Sequence, residues 1–190
     1  MFGQRRVEAD QENDMRVLVL GAKGRMGRAA TAAFRTAGWR VREAARSWDT
    51  PGDDRVVCDA FEPRQVCEVA AGCDVIVNAL NPPYPAWEKD VPRLTQSVIA
   101  AAKSSGATVI IPGNVYNFGA EMPEQLHEDT PQRPTTRKGR IRVELENAYR
   151  DAGVRTLIVR AGDFMDVKAT GNWFESYIAK DAFKGSVMYP

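Results

Sequence analysis

Three glycines spaced three residues apart constrain the fold of this chain more than any other feature of its sequence. Gly21, Gly24 and Gly27 directly follow residues 16–20 (RVLVL), a short apolar run that is typical of a buried strand. After them, small and apolar side chains recur at helical spacing up to Gly38, a typical helix stop. A strand, a glycine loop and a helix in this order predict a βαβ unit near the start of the fold.

Each glycine of such a loop has its own physical role. Gly21 permits the tight turn out of the strand, Gly24 lets a pyrophosphate approach the backbone, and Gly27 lets the helix pack closely on the strand. The helix N-terminus adds unpaired N–H groups and about half a positive charge. The alternative is a plain strand-to-helix turn with incidental glycines. We predict a dinucleotide site whose cofactor-binding residues here are Gly21, Lys23, Gly24, Arg25, Met26 and Gly27.

Strands and helices alternate along the rest of the chain. We predict five further strands at residues 39–45, 56–58, 74–79, 108–111 and 155–160. Helices are predicted at 62–71, at 91–101 with Pro92 in the first turn, at 141–152 and, as an extra helix, at 173–178. The alternation predicts an α/β fold: a Rossmann-like doubly wound parallel sheet of strand order 3-2-1-4-5-6 with helices on both faces. Ligands of such sheets bind at the carboxyl ends of the strands.

The length of 190 residues suits one domain. Residues 1–14 are polar and lack periodicity, so we expect a disordered extension followed by a domain over 15–190. The net charge of +1 and the lack of a long Lys/Arg run argue against nucleic acid or an anionic membrane as partners. No apolar stretch approaches the roughly 18 residues of a membrane span, and no signal-peptide pattern is present. The expected location is the cytoplasm.

The cysteines and the single histidine point to no metal site. Cys58, Cys67 and Cys73 are odd in number and lack C-x-x-C spacing, which argues against a disulfide framework or a zinc site. We expect free thiols in a reducing compartment. His127 lies in a polar segment and is predicted to be a solvated loop residue.

The end of the second strand bears on the choice between NAD and NADP. An NAD site places Asp or Glu about twenty residues after the glycine loop, where it bonds the ribose 2′-hydroxyl. Here Arg46 takes that place, and its guanidinium can form paired bonds to a 2′-phosphate. Glu43 and Asp49 are the rival acids, but we expect Glu43 inside the strand and Asp49 beyond it. The sequence therefore favours NADP over NAD, and the alternative for Arg46 is an ordinary surface arginine.

Taken together, these residues resemble the extended or atypical branch of the short-chain dehydrogenase/reductase superfamily. The branch includes NAD(P)-dependent sugar-nucleotide epimerases and dehydratases, and the resemblance covers residues 15–190. The glycine spacing matches the branch's Gly-x-x-Gly-x-x-Gly motif. By this resemblance Asp59 touches the adenine amino group, and Asn78, Ala79 and Leu80 pass under the ribose and nicotinamide side of the cofactor. Further matching segments are 115–116, 128–131 and 160–164.

The chain departs from this branch at the usual catalytic motif. Family enzymes use Tyr-x-x-x-Lys, in which the tyrosine is the acid/base and the lysine lowers its pKa and holds the ribose. The register places Lys138 at the tyrosine position and Arg142 at the lysine position, and residues 112–114 (PGN) replace the expected Ser or Thr segment. The usual proton relay is therefore not expected. Members of the branch also continue further, so we expect most of the substrate lobe to be absent and an open sheet edge that favours a homodimer.

Four residues remain as candidates for catalysis. Lys138 and Arg142 are four residues apart and share a helix face. The pair can bind an anion, which we favour, or Lys138 can act as a base after its pKa is lowered. The alternative is a solvated basic face. Asn114 can bond a substrate carbonyl or hydroxyl, and Tyr116 can line the pocket or transfer a proton, unless this segment is only a turn. Residues 82–85 (PPYP) are expected to form a stiff loop in which Tyr84 stacks near the nicotinamide.

Three functions are consistent with these residues. The first is an NADP(H)-dependent oxidoreductase or epimerase acting on a small polar substrate such as a nucleotide sugar. The second is a sensor that binds NADP(H) without turnover, which the lack of Tyr-x-x-x-Lys favours. The third is a truncated remnant that retains part of the site. The fold alone does not choose between them, because one scaffold hosts many activities.

Overall fold

A single parallel sheet forms the centre of the structure, a computed structural model that describes residues 14–162, 164 and 174–187. Its strand order is β3-β2-β1-β4-β5-β6, and every neighbouring pair is parallel, which confirms the predicted doubly wound order. The strands are β1 Arg16–Leu20, β2 Arg40–Ala45, β3 Arg55–Val57, β4 Val75–Asn78, β5 Thr108–Gly113 and β6 Thr156–Arg160.

Four α-helices connect the strands in the described part of the chain. They are α1 Arg25–Thr36, α2 Pro63–Ala70, α3 Trp87–Ser105 and α4 Arg137–Asp151. Short 3-10 turns occur at Tyr84–Ala86, Tyr116–Phe118 and Ala182–Lys184. Where an extra helix was predicted, Phe174–Ile178 forms one π-helical turn, and Trp173 lies outside the described residues. Most of the predicted N-terminal extension, residues 1–13, also lies outside them.

The alternating side chains of β1 show that the sheet separates two apolar layers of the core. Val17 and Val19 point to the face that α1 covers, and Leu18 and Leu20 point to the face that α2, α3 and α4 cover. All four side chains are at most 1% exposed. The alternation in one strand thus serves two apolar layers, as expected for a central strand buried on both faces. The edge strand β6 is covered less completely, because its side chains Leu157 and Val159 are 54% and 51% exposed.

Three elements differ from the sequence predictions by two or more residues at an end: helix α3, strand β5 and helix α4, which begins at Arg137 rather than at residue 141. Helix α3 begins at Trp87, so Pro92 lies inside the helix rather than in its first turn, and the expectation for Pro92 was wrong. The earlier start is favourable because Glu88 and Asp90 then lie in the first turn, near the positive end of the helix dipole. Strand β5 is longer than predicted, since Gly113 still pairs with Arg160. This extension carries β5 to the edge where the cleft opens.

Candidate functional site

The glycine loop leaves β1 and enters α1 with backbone geometry that other residues would disturb. Gly21 has φ of +76°, a left-handed conformation, and a Cβ there would lie 3.0 Å from the carbonyl oxygen of Ala79. A Cβ on Gly27 would overlap the carbonyl of Gly21 and lie 2.7 Å from the Cα of Ala22. The first and third glycines are therefore required by the packing of the chain on itself.

Gly24 differs from the other two because the space beside it is open. It is the N-cap residue of α1, no side chain caps the helix, and the first turn holds no acidic residue. A Cβ on Gly24 would meet the Gly21 carbonyl oxygen at 3.2 Å and, apart from its neighbours in the chain, no other atom of the described residues within 4 Å. The start of α1 thus presents backbone N–H groups toward open space, a geometry that suits a phosphate. The residues present fit the phosphates of a dinucleotide.

The two rival acids near the end of β2 are both engaged by cations. Glu43 is 7% exposed inside β2 and accepts a 2.8 Å bond from Arg35. Asp49 lies beyond the strand and pairs with Lys23 of the glycine loop at 3.1 Å. Arg46, directly after β2, is exposed. The exposed group nearest the strand end is therefore a cation rather than a carboxylate.

Asp59 and Asn78, placed near the cofactor by resemblance, both make bonds inside the protein. Asp59 Oδ1 accepts a 3.0 Å bond from the backbone N–H of Phe61. Asn78 Nδ2 donates to the Tyr149 hydroxyl at 3.1 Å, and Asn78 Oδ1 accepts from the Leu80 N–H at 3.3 Å. Burial raises the pKa of the Tyr149 phenol, so this hydroxyl remains neutral. Asn78 therefore fixes the path of the chain as it leaves β4.

A cleft of about 570 Å³ runs between the start of α1 and the ends of β4 and β5. Its described lining includes the polar residues Asn78, Asn81 and Asn114 and two cations, Arg25 and Arg142, and it holds no Asp or Glu. Five aromatic side chains complete much of the wall, namely Tyr84, Trp87, Tyr116, Phe164 and Phe174. Met26, Ala79 and Leu80 also line it. The volume is in the range of small-molecule sites.

The structure separates Lys138 from Arg142, although both belong to the first turns of α4. Lys138 is exposed, and its Nζ lies 3.8 Å from the centroid of the Tyr84 ring, at the rim of the cleft. Arg142 points inward and lines the cleft. The two side chains belong to one helix but lie in different environments, Lys138 at the exposed rim and Arg142 in the wall of the cleft.

The predicted substrate residues Asn114 and Tyr116 both line the cleft and are joined by a turn. Asn114 Oδ1 accepts a 3.0 Å bond from the Tyr116 N–H. Behind them, a Cβ on Gly139 would overlap the Tyr116 carbonyl oxygen and come 2.9 Å from Pro134. Helix α4, whose first turn is capped by the Thr136 hydroxyl, therefore packs directly on the turn that carries Tyr116.

A buried ionic network behind the cleft was not predicted. The two nitrogens of Arg160 bond the two carboxylate oxygens of Glu146 at 3.1 and 2.8 Å. Glu146 Oε2 also accepts from Gln132 at 2.8 Å, and Gln132 accepts from Asn117 at 3.1 Å. Arg160 donates to the Asn114 carbonyl at 2.6 Å. The network joins β6, α4 and the loop after β5, and the only sequence signal for it was Glu146 one turn after Arg142.

Arg142 itself stands apart from this network. Its terminal nitrogen donates to the Pro112 carbonyl at 2.6 Å, and its Nε is buried with no partner among the described residues. Burial lowers the pKa of Arg142, and Glu146 opposes that shift. Sequence reasoning placed Arg142 near the site but could not show that its Nε is buried without a partner among the described residues.

Other candidate groups lie outside this cleft. The three cysteines are free, and burial raises the pKa of Cys58 to about 11. His127 is an exposed loop residue. Within residues 14–162, 164 and 174–187, no cluster of three metal-ligating side chains occurs. The described helices include none with the length and apolarity of a membrane span. Asp163, in the matching segment 160–164, lies outside the described residues.

The sheet order, the glycine loop and the cleft at the strand ends define a Rossmann-like domain of the extended short-chain dehydrogenase/reductase type. The family model described as "RmlD substrate binding domain" matches residues 15–186, and the chain belongs to that family. No curated protein matches the chain significantly.

Similar solved structures support this assignment at the level of fold. UDP-N-acetylglucosamine 4-epimerase from Bacillus cereus is 16% identical, with 91% of this chain and 64% of that one covered and a TM-score of 0.72. Uronate dehydrogenase from Agrobacterium tumefaciens is 25% identical over 75% of this chain and 58% of that one, with a TM-score of 0.61. A short-chain dehydrogenase/reductase superfamily protein from the same organism, with bound NAD, is 22% identical over 76% and 48%, with a TM-score of 0.60. The chain spans 48% to 64% of these relatives.

Proposed function

We propose that this chain binds a nicotinamide dinucleotide with its pyrophosphate against Gly24 and its nicotinamide end in the cleft. The observation that carries the proposal is the uncapped start of α1, where Gly24 leaves the backbone open. The cleft begins at Arg25 and Met26 of this same helix. A similar solved protein is described with bound NAD, which supports the class of cofactor.

NADP(H) is the proposed form of this cofactor. Arg46 is exposed directly after β2, where a 2′-phosphate would need a cation. Glu43, the acid of that strand, is bound to Arg35 and is 7% exposed, so it is poorly placed to bond a ribose hydroxyl. Lys23 of the glycine loop is a second exposed cation and pairs with the exposed Asp49 at 3.1 Å.

The activity that fits best is an oxidoreductase or epimerase acting on a small polar substrate, such as a nucleotide sugar. A bound nicotinamide gives up or accepts a hydride. Asn114 and Tyr116 line the cleft beside the end of β5 and would orient the substrate's oxygen atoms. The similarity to a nucleotide-sugar epimerase and a uronate dehydrogenase supports this class of substrate.

A binding protein without turnover is the second candidate. Lys138 occupies the position of the family's tyrosine, is exposed and contacts the Tyr84 ring at the rim. No side chain of the described α4 therefore reproduces the family's acid/base at its usual position. Such a protein would bind NADP(H) and report on its redox state.

Turnover of a substrate distinguishes the enzyme from the binding protein. NADPH absorbance is followed with the full chain over a panel of nucleotide sugars, free sugars and carbonyl compounds. Net consumption or formation of NADPH identifies an oxidoreductase. An epimerase returns the hydride to its substrate and changes no net NADPH, so epimerised products are also measured by chromatography. Tight binding with neither signal over the panel identifies the sensor. Lys138→Ala tests whether Lys138 belongs to the site. Unchanged turnover and unchanged substrate affinity would show that it does not.

We also propose a homodimer that buries the open edge of the sheet. Leu157 and Val159 of β6 are about half exposed on the face opposite to α4, and β6 has a free edge within the described sheet. Sedimentation velocity should show a dimer that Leu157→Lys dissociates, and a monomer at all concentrations would exclude it.

A further inference from the structure

Backbone hydrogen bonds join the glycine loop to the end of β2, so the residues that follow these two segments lie close together. The N–H groups of Gly21 and Ala22 both donate to the Ala44 carbonyl at 3.2 Å. Lys23 follows Ala22 directly, and Arg46 stands two residues beyond Ala44; both are exposed. Two cations therefore flank the gap between the loop and the strand end, where folds of this class bind the adenosine ribose.

The protein itself neutralises one of these two cations. Asp49 Oδ2 lies 3.1 Å from Lys23 Nζ, so the ion pair joins the segment after β2 to the glycine loop. Arg46 has no ion-pair partner within the described part of the chain. Two cations and one carboxylate leave this surface one net positive charge, whereas a 2′-phosphate carries about two negative charges. The surface as it stands therefore balances only part of the charge of a 2′-phosphate.

The backbone on each side of this ion pair is anchored, while the two side chains are open to solvent. Arg28 of α1 donates to the backbone carbonyl of Lys23. Trp48, the neighbour of Asp49, is half-buried, and its Nε1 donates to the Val56 carbonyl at 2.9 Å. The side chains of Lys23 and Asp49 are 44% and 90% exposed. Because an exposed ion pair is weak, Lys23 can exchange Asp49 for another anion without any movement of the backbone.

We propose that Asp49 sets the cofactor preference of this chain by competing with the 2′-phosphate for Lys23. The inference rests on the proposed function, in which Arg46 bonds that phosphate. NADPH binds when Lys23 leaves Asp49 for the phosphate, and the released carboxylate then repels the phosphate beside it. NADH has no 2′-phosphate and leaves the ion pair intact. Asp49 therefore lowers the affinity for NADPH but not for NADH, so the pocket accepts both cofactors.

Calorimetric titration of NADPH and NADH into the full chain, Asp49→Asn and Asp53→Asn tests the proposal. Asp53 is an exposed residue of the same segment between β2 and β3 and has no ion-pair partner among the described residues, so its variant removes an equal charge without releasing Lys23. We expect Asp49→Asn to bind NADPH about fivefold more tightly than the wild type and NADH within about twofold of it. Asp53→Asn should match the wild type for both cofactors.

Other outcomes of the same titrations would overturn the proposal. An unchanged NADPH affinity in Asp49→Asn, or an equal gain in Asp53→Asn, would show that Asp49 does not compete for Lys23. Weaker NADPH binding would mean that Asp49 holds Lys23 in place for the phosphate, and weaker NADH binding would mean that Asp49 bonds the ribose hydroxyl. A wild type that binds neither cofactor would instead refute the proposed function, so the two failures are distinguishable.

Lys23→Gln and the salt dependence of binding test the exchange of Lys23 itself. Lys23→Gln should weaken NADPH binding about fivefold and leave NADH binding unchanged, because only the phosphate draws on this ammonium. Added NaCl should weaken NADPH binding more steeply in Asp49→Asn than in the wild type, because the exposed pocket of the variant has more positive charge to screen. Unchanged NADPH affinity in Lys23→Gln, or equal salt dependence in the two proteins, would contradict the exchange.

Discussion

The two ends of the cleft are built in different ways. At the β1–α1 end the wall is backbone: three glycines, an uncapped helix and small residues packed on the neighbouring strand. At the β5–α4 end the wall is made of side chains: a buried ionic network lies behind it, and Arg142, whose Nε has no partner among the described residues, lines it. The first end is suited to the phosphates of a dinucleotide. The second end is where this chain differs from the family pattern.

Breaking the ionic network should have the largest effect on stability. Glu146→Gln leaves Arg160 without its carboxylate, and loss of one partner of a buried pair costs about 3–5 kcal/mol. The free energy of unfolding is measured by urea denaturation. Glu68→Gln is the control, because the exposed Arg64–Glu68 pair should contribute less than about 1 kcal/mol. Similar losses of unfolding free energy in the two variants would contradict the claim that the Glu146–Arg160 pair stabilises the fold more than the exposed Arg64–Glu68 pair.

The third glycine should be the next most sensitive position. A valine at Gly27 would overlap the backbone of Gly21 and Ala22, and overpacking of this kind costs about 1–3 kcal/mol or more. The same measurement on Ala33→Val, on the exposed side of α1, should show a loss below about 1 kcal/mol. A Gly27→Val variant as stable as Ala33→Val would show that α1 does not pack closely on the loop.

The contrast between the two ends also explains what the sequence could predict. Residues 16–27 encode strand, turn and helix locally, so the packing roles of Gly21 and Gly27 and the strand order followed from spacing and alternation. The partner of Glu146 is Arg160, which is 14 residues away in sequence, whereas Arg142 on the same helix donates to the Pro112 carbonyl. The four-residue spacing of Arg142 and Glu146 on α4 suggests that these two side chains pair, but the Glu146 carboxylate bonds Arg160 instead. Long-range partners of charged groups depend on packing that the sequence pattern does not contain.

At the ribose end, Arg46→Ala should weaken NADPH binding about tenfold and leave NADH binding unchanged. An exposed guanidinium that bonds the 2′-phosphate contributes on the order of 1–2 kcal/mol. Binding is measured by calorimetry, with Arg64→Ala as the control, since Arg64 is an exposed arginine of α2. Equal weakening of NADPH and NADH would mean that Arg46 does not read the 2′-phosphate. Better binding of NADH by the wild type would reverse the proposed preference.

The smallest expected effect concerns the thiol after β3. Burial raises the pKa of Cys58 to about 11, so the reactive thiolate is scarce at pH 8 and increases as the pH rises toward that value. Iodoacetamide labelling followed by mass spectrometry should modify Cys67, which is less buried, before Cys58. The rate at Cys58 should increase steeply between pH 8 and 10. A fast, pH-independent reaction at Cys58 would contradict its burial.

Calorimetric titration of NADPH into the wild type and Gly24→Val tests the central claim most directly. A side chain at Gly24 extends into the open space at the start of α1, and among the described residues its Cβ has one tight contact, with the Gly21 carbonyl oxygen at 3.2 Å. The account predicts that Gly24→Val keeps its fold, judged by circular dichroism, and loses NADPH affinity by at least a hundredfold. Unchanged affinity in the folded variant would show that no dinucleotide phosphate rests against this backbone.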